Sequence, residues 1–152
     1  MKPRLEMFHV EHLGRLRPRE SVDMGSLRHY GHILGQGPGW TALMGDQVIG
    51  CAGICPLWPG VADIWAVFGD GVCGCRFWFH RVSKLLLRDA VAGLGLWRLQ
   101  TLVRADSERN IRWVESLGFE REWIRRRYGP DGTDFIDYAL LRKDATWPIR
   151  SH

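Results

Sequence analysis

The stretch from Trp97 to Leu141 carries the densest folding punctuation in this chain and constrains its architecture most. Trp97–Val103 reads as a strand. Ser107 is a good helix N-cap, the following segment has helical character to about Leu117, and Gly118 is placed to stop it. Phe119–Arg127 and Asp134–Leu141 then read as a hairpin around the turn Gly129-Pro130-Asp131-Gly132. A strand, a helix and a hairpin in that order need a sheet with a helix packed on it, which excludes a helical bundle or a sandwich.

The preceding residues fit the same plan. Leu5–Val10 is expected as a first strand, with a basic turn at Arg15–Arg19. Ser21 would cap a helix over Val22–Leu34, which Gly35, Gly37 and Gly39 stop. Trp40–Met44 and Val48–Ile54 form a hairpin about Gly45-Asp46. Pro56, Pro59 and Gly60 interrupt the chain before Val61–Phe68, an apolar run expected as a central strand. Arg76–Leu94 reads as a helix with Leu85, Leu86 and Ala90 on one face and Arg81, Lys84 and Arg88 mostly on the other. The fold class is therefore α+β. With 152 residues the chain suits one domain, assigned to 1–143, with 144–152 as a flexible tail.

Composition narrows the function classes. At 45% hydrophobic and 25% charged the chain is expected to fold rather than stay disordered. No apolar run approaches the ~18 residues of a membrane helix, and no apolar segment marks an export signal, so a cytoplasmic location is expected. Cys51, Cys55, Cys73 and Cys75 lack the CxxC spacing of zinc knuckles, so reduced thiols and no metal are expected. The net charge of +4 is mild. Its densest cluster, Arg125-Arg126-Arg127, suits a solvated strand end better than a nucleic-acid site.

Between the Val61–Phe68 strand and the next helix stands Gly69-Asp70-Gly71-Val72-Cys73-Gly74, a GxGxxG spacing. Three readings are open. A dinucleotide site would need this unit at the start of a parallel sheet with an acidic strand end ~20 residues on, whereas Asp89 falls inside a helix. A tight turn would need glycine for its backbone alone. A phosphate cradle of another kind would use amides at a helix start.

The run from Thr101 to Phe119, ending Glu115-Ser116-Leu117-Gly118-Phe119, resembles the GNAT acyltransferase superfamily, and the hairpin and the strand Phe135–Leu140 continue the likeness. The resemblance covers roughly Trp40–Lys143, most strongly after Trp97. It implies a central mixed, mostly antiparallel twisted sheet flanked by helices, and acetyl transfer from acetyl-CoA to an amine of a protein or small molecule. It also implies that the loop after the fourth strand holds the coenzyme A pyrophosphate, here through Phe68, Gly69, Gly71, Gly74, Cys75 and Arg76. Of the family's loop pattern only the central glycine is kept, with Arg76 where a small residue normally sits. The family's tyrosine acid falls on Val114, and the asparagine that often opens its helix falls on Ser107.

Acetyl transfer needs a base for the ammonium proton and an acid for the thiol. The family often carries its carboxylate base on the strand matching Val61–Phe68, which makes Asp63 the candidate; Asp63, Trp65 and Val67 share a face by alternation. Ser107 is a candidate hydrogen-bond or proton donor, although a helix cap explains it as well. His80, Tyr128 and Tyr138 read more simply as structural. The pattern is also similar to small GNAT-like proteins of tailed phages, some of them internal virion proteins, which implies as an alternative an inactive structural or accessory protein. Eight tryptophans, and the triplet Phe77-Trp78-Phe79 that one helix face cannot bury, leave a homo-oligomer or virion contact as a further expectation.

Overall fold

Apolar alternation and glycine stops build the described strands and the two longer helices in the order the sequence implies, with shifted ends, and two short helical turns, Glu11–Arg15 and Asp70–Cys75, are added to it. The computed structural model describes residues 2–18 and 34–141. Among these are strands β1 (Pro3–Met7), β2 (Gly39–Met44), β3 (Gln47–Trp58), β4 (Val61–Phe68), β5 (Arg98–Arg104), β6 (Glu120–Arg125) and β7 (Phe135–Leu141). Helices are α1 (Glu11–Arg15), a 3-10 segment (Asp70–Cys75) running into α2 (Arg76–Leu94), and α3 (Glu108–Ser116). The strand order is β1-β2-β3-β4-β5-β7-β6. β4 and β5 are parallel, while β1–β2, β2–β3, β5–β7 and β6–β7 are antiparallel. The sheet is thus mixed, mostly antiparallel and flanked by helices, an α+β fold. No helix among the described residues is long and apolar enough to cross a membrane.

Two compact units divide the chain: Met1–Cys55 with Ile64–Leu87, and Pro56–Asp63 with Arg88–His152. In the first, β2 pairs with β1 from Pro3↔Met44 to Met7↔Trp40, and with β3 through a bulge at Ala42/Leu43. Phe8, Leu13, Leu16, Leu43, Val48, Cys51 and Val67 form its apolar core, with Trp65 packed against them. The ring of Trp65 lies so close to Gly53 that a Cβ there would stand 2.6 Å from Nε1. Glycine is what lets that indole lie on the strand.

β1 ends at Met7 instead of Val10 because the chain turns into α1, with His12 and Leu13 N–H donating to the carbonyls of His9 and Val10. Leu13 and Leu16, three residues apart, can then both face the core, which an extended chain would not allow. β3 continues past Ile54 to Trp58, through Pro56. Its ladder with β2 stops at Gly39↔Gly53, so the missing proline N–H takes no bond away from that pairing. The expected basic turn at Arg15–Arg19 begins on the last residue of α1, runs extended at Leu16 and bridges Gly69 at Pro18, with only its last residue outside the described residues. The Val22–Leu34 helix, apart from Leu34, and the 144–152 tail lie outside them.

In the second unit β5 pairs with β7 along its whole length, from Arg98↔Leu141 to Arg104↔Phe135, and β6 closes the hairpin on β7. β4 enters it through a short parallel ladder, Val61↔Arg98 to Asp63↔Gln100. The Gly60 carbonyl accepts from the Trp97 and Arg98 N–H groups at its head. The turn forms as its residues dictate, with Gly132 at φ 79° and its N–H donating to Gly129. β6 stops at Arg125, two residues short of expectation, because Arg127 takes a left-handed φ of 54° and its N–H donates to Asp134 Oδ1 at 2.8 Å.

Candidate functional site

In the first unit the segment Gly69–Arg76 is a 3-10 turn leading into the nineteen-residue α2. Its start is clamped. The Gly69 N–H donates to the Ile49 carbonyl at 2.8 Å and the Asp70 N–H to the Arg17 carbonyl at 3.2 Å. The Val72 N–H closes back on the Gly69 carbonyl, which winds the expected loop into a helix. Gly71 is pressed against Ile49, whose Cγ2 would lie 2.5 Å from a Cβ, and a Cβ on Gly69 would stand 3.0 Å from the Arg17 carbonyl oxygen. These two glycines are explained by packing. Gly74 is different: a Cβ there would meet nothing within 4 Å.

The side chains around it sort by exposure. Phe68 is half-buried and meets Phe79 edge-on at 5.3 Å. The Cys75 thiol turns toward the Val72 and Gly71 carbonyls, and burial raises its pKa, so it stays protonated. Arg76 is exposed, with its guanidinium 4.9 Å over the Phe77 ring. Phe77 is 78% exposed, whereas Trp78 and Phe79 are half-buried and line a small apolar cavity of about 30 Å³ under Ala42 and Gly50. The aromatic triplet therefore divides between surface and interior. His80 is half-buried on the same helix.

The second unit holds Asp63, half-buried at the last rung of the β4–β5 ladder. Its Oδ1 accepts from Gln100 Nε2 at 2.8 Å. Gln100 Oε1 in turn accepts from Arg98 Nε at 2.7 Å. The Arg98 guanidinium then forks onto both Glu122 oxygens at 3.0 and 2.6 Å, and that hydrogen bond holds the Glu122 carboxyl below its usual range. The sequence reading found Asp63 and missed the other three. Arg98 and Gln100 share a face by period-two alternation, but nothing in the sequence states the parallel register that sets Gln100 beside Asp63.

Ser107 is buried, and its Oγ accepts from the Asn110 N–H at 3.4 Å, the N-cap geometry of α3. Val114 is buried on that helix. Beside it, Glu115 Oε1 accepts from the Tyr138 hydroxyl at 2.9 Å, while Arg121 Nη2 donates to the same hydroxyl at 3.4 Å. Burial pushes the Tyr138 phenol up, so it is a neutral hydrogen-bonding strut at the centre of β7. Tyr128 stacks edge-on with Phe135. Arg125 of the basic cluster is paired with Asp137 at 2.9 Å.

Back in the first unit, the sequence reading also missed a buried polar pair, His12 Nδ1 and Thr41 Oγ1 at 2.7 Å. The His9 N–H reaches the same nitrogen at 3.3 Å, so Nδ1 is the acceptor and the neutral ring carries its proton on Nε2. Burial, with help from His9 and Arg15, holds His12 below the usual histidine value. Cys51 lies 3.8 Å from Thr41 Oγ1, and burial pushes its thiol up to about 11. No three His, Cys, Asp or Glu side chains converge on a metal-sized site among the described residues.

No family model and no curated protein matches the chain in sequence. Solved structures match it along nearly its whole length. A protein from T. thermophilus assigned as an acetyltransferase is 26% identical, with a TM-score of 0.65 over 95% of this chain and 88% of that one. The ribosomal-protein-S18-alanine N-acetyltransferase from Escherichia coli is 20% identical, with a TM-score of 0.70 over 99% and 96%. The GNAT-family acetyltransferase from Bacillus anthracis is 13% identical, with a TM-score of 0.67 over 93% and 95%. The strand order, the helices and these likenesses agree, and the chain has the fold of the GNAT acetyltransferases.

Proposed function

We propose that this protein is an N-acyltransferase that takes an acetyl group from acetyl-CoA and delivers it to an amine. The observation that carries the reading is Gly74: in a tightly packed helical turn it alone of the three motif glycines has open space above it. Open space beside Gly74 in the turn that leads into α2, with Arg76 two residues on, leaves room for a diphosphate to approach closely. The chemistry of the residues present therefore fits the cofactor. Gly74 and Arg76 would hold the phosphates, while Gly69 and Gly71 keep the turn in shape. Phe68 and Cys75 flank it as apolar neighbours.

When bound, the cofactor supplies an activated thioester. The protein supplies the rest. Asp63 is the base that removes the ammonium proton of the acceptor, directly or through water, so that the amine can attack. Ser107 is the candidate donor, subordinate to its role as a cap. Val114 has no proton to give, so protonating the departing thiolate falls to Ser107 or to solvent.

Calorimetric titration with acetyl-CoA and desulfo-coenzyme A tests the cofactor, and thiol release in the presence of an alanine-initiated peptide or spermidine tests transfer. Saturable binding of both coenzymes is expected. No binding at millimolar ligand overturns the reading and leaves a non-catalytic protein of the same fold.

A further inference from the structure

We infer that Gln100 is the positioning residue of the Asp63 carboxylate, held for that task by Arg98 and Glu122. The inference rests on the reading of Asp63 as the base. A glutamine amide has two chemically different ends, and the neighbours decide which way this one points. Arg98 Nε can only donate, so the amide end facing it at 2.7 Å must be the oxygen. The other end must then be the NH2 group, and it meets Asp63 Oδ1 at 2.8 Å, a carboxylate that can only accept when ionised. The flip is therefore fixed by charge on both sides.

Arg98 is held in its turn. Its two terminal nitrogens reach the two Glu122 oxygens in a fork, a planar and directional pairing. Four side chains on three strands thus form one line, Glu122–Arg98–Gln100–Asp63. Oδ1 of the base is committed to this line, and Oδ2 is the oxygen presented to an incoming proton. A catalytic carboxylate must be held within a few tenths of an ångström to act, and a support of this kind supplies that restraint.

The test is the side-chain rotamer of Asp63, read in the full-length protein from the three-bond couplings of its Cγ to the backbone nitrogen and carbonyl carbon. The wild type should show one χ1 rotamer. Gln100→Leu should average the couplings, because the donor is gone. Gln100→Glu has the same shape and, measured at about pH 8 where both carboxyls are ionised, still accepts from Arg98 but cannot donate to Asp63. It should also release the Asp63 rotamer while the Arg98 Hε resonance stays hydrogen-bonded, which a general loss of structure would not produce. If either amine above is acetylated, kcat should fall about 10-fold in both variants with KM for acetyl-CoA unchanged. A single unchanged Asp63 rotamer in Gln100→Glu overturns the inference, and that variant settles it if Gln100→Leu fails to fold. Failure of the wild type to bind acetyl-CoA, with the rotamer released as expected, would sink the acetyl-transfer reading instead.

Discussion

In the first unit Phe8, Leu13, Leu16, Leu43, Val48 and Cys51 make an apolar cluster whose one buried polar neighbour among the described residues is the His12–Thr41 pair. In the second, guanidinium–carboxylate pairs lace the strands and turns: Arg98–Glu122, Arg104–Asp106, Arg104–Asp131 and Arg125–Asp137. The difference matches the two tasks proposed for them. A turn that offers its backbone to a diphosphate needs close packing behind it, and Ile49 and the Arg17 carbonyl supply that against Gly71 and Gly69. A carboxylate that handles a proton needs a fixed orientation, which hydrogen bonds give and apolar contact does not.

The largest effect that separates the units comes from the apolar core. Leu13 is fully buried, so Leu13→Ala should destabilise the protein by about 2–5 kcal/mol in a denaturant titration. A loss no larger than that of a surface substitution would mean that the core of the first unit is not what holds it.

Ser107→Ala comes next. Removing the cap of α3 should cost about 0.5–2 kcal/mol, with acetyl transfer reduced only as far as folding is. A fall in kcat at full stability would instead promote Ser107 from cap to donor.

The smallest effect is in pH. Burial holds His12 neutral below its usual 6.5, so the unfolded chain binds a proton first as pH falls. The stability this gives the first unit is present above pH 6.5 and is lost as pH drops through the lowered value. In the second unit hydrogen bonds from Arg104 to Asp106 and from Arg98 to Glu122 depress those carboxyls. Asp131 is depressed to about 2, by Thr133 first and then by Arg104. Their contribution is full above the ordinary carboxylate values of 3.8 and 4.5 and fades only below them. Because these pairs are exposed, salt should weaken them. Between pH 6.5 and 4.5, amide protection corrected for the intrinsic exchange rate should fall in α1 and β2 before it does in β5 and β7. The opposite order would break the comparison.

Legibility followed the range of the interactions. Ser107, Gly118 and Gly129–Gly132 act within a few residues of themselves, so the α3 cap and the β6–β7 turn could be read directly and the fold class with them. Long-range contacts were silent. The Asp63–Gln100 bond depends on parallel register, and the Tyr138 strut joins residues 23 and 17 positions away in sequence. The GxGxxG spacing leaves a tight turn and a phosphate cradle both open, because the contacts that tell its glycines apart are distant in sequence: Gly69 and Gly71 are fixed by such neighbours, and only Gly74 of the three is left open. β3 passing Pro56 shows the same limit, since a proline breaks a strand only where its N–H is needed.

Gly74 and Gly93 form a matched pair. Both lie in the continuous helical segment that ends in α2, one at its start and one near its end, and a Cβ on either meets nothing within 4 Å. Calorimetric titration of acetyl-CoA into Gly74→Val, Gly93→Val and the wild type tests the central claim directly. The account predicts that Gly74→Val folds normally and loses at least about 10-fold in affinity, or ~1.4 kcal/mol, while Gly93→Val binds as the wild type does. Equal affinity in all three proteins would contradict it.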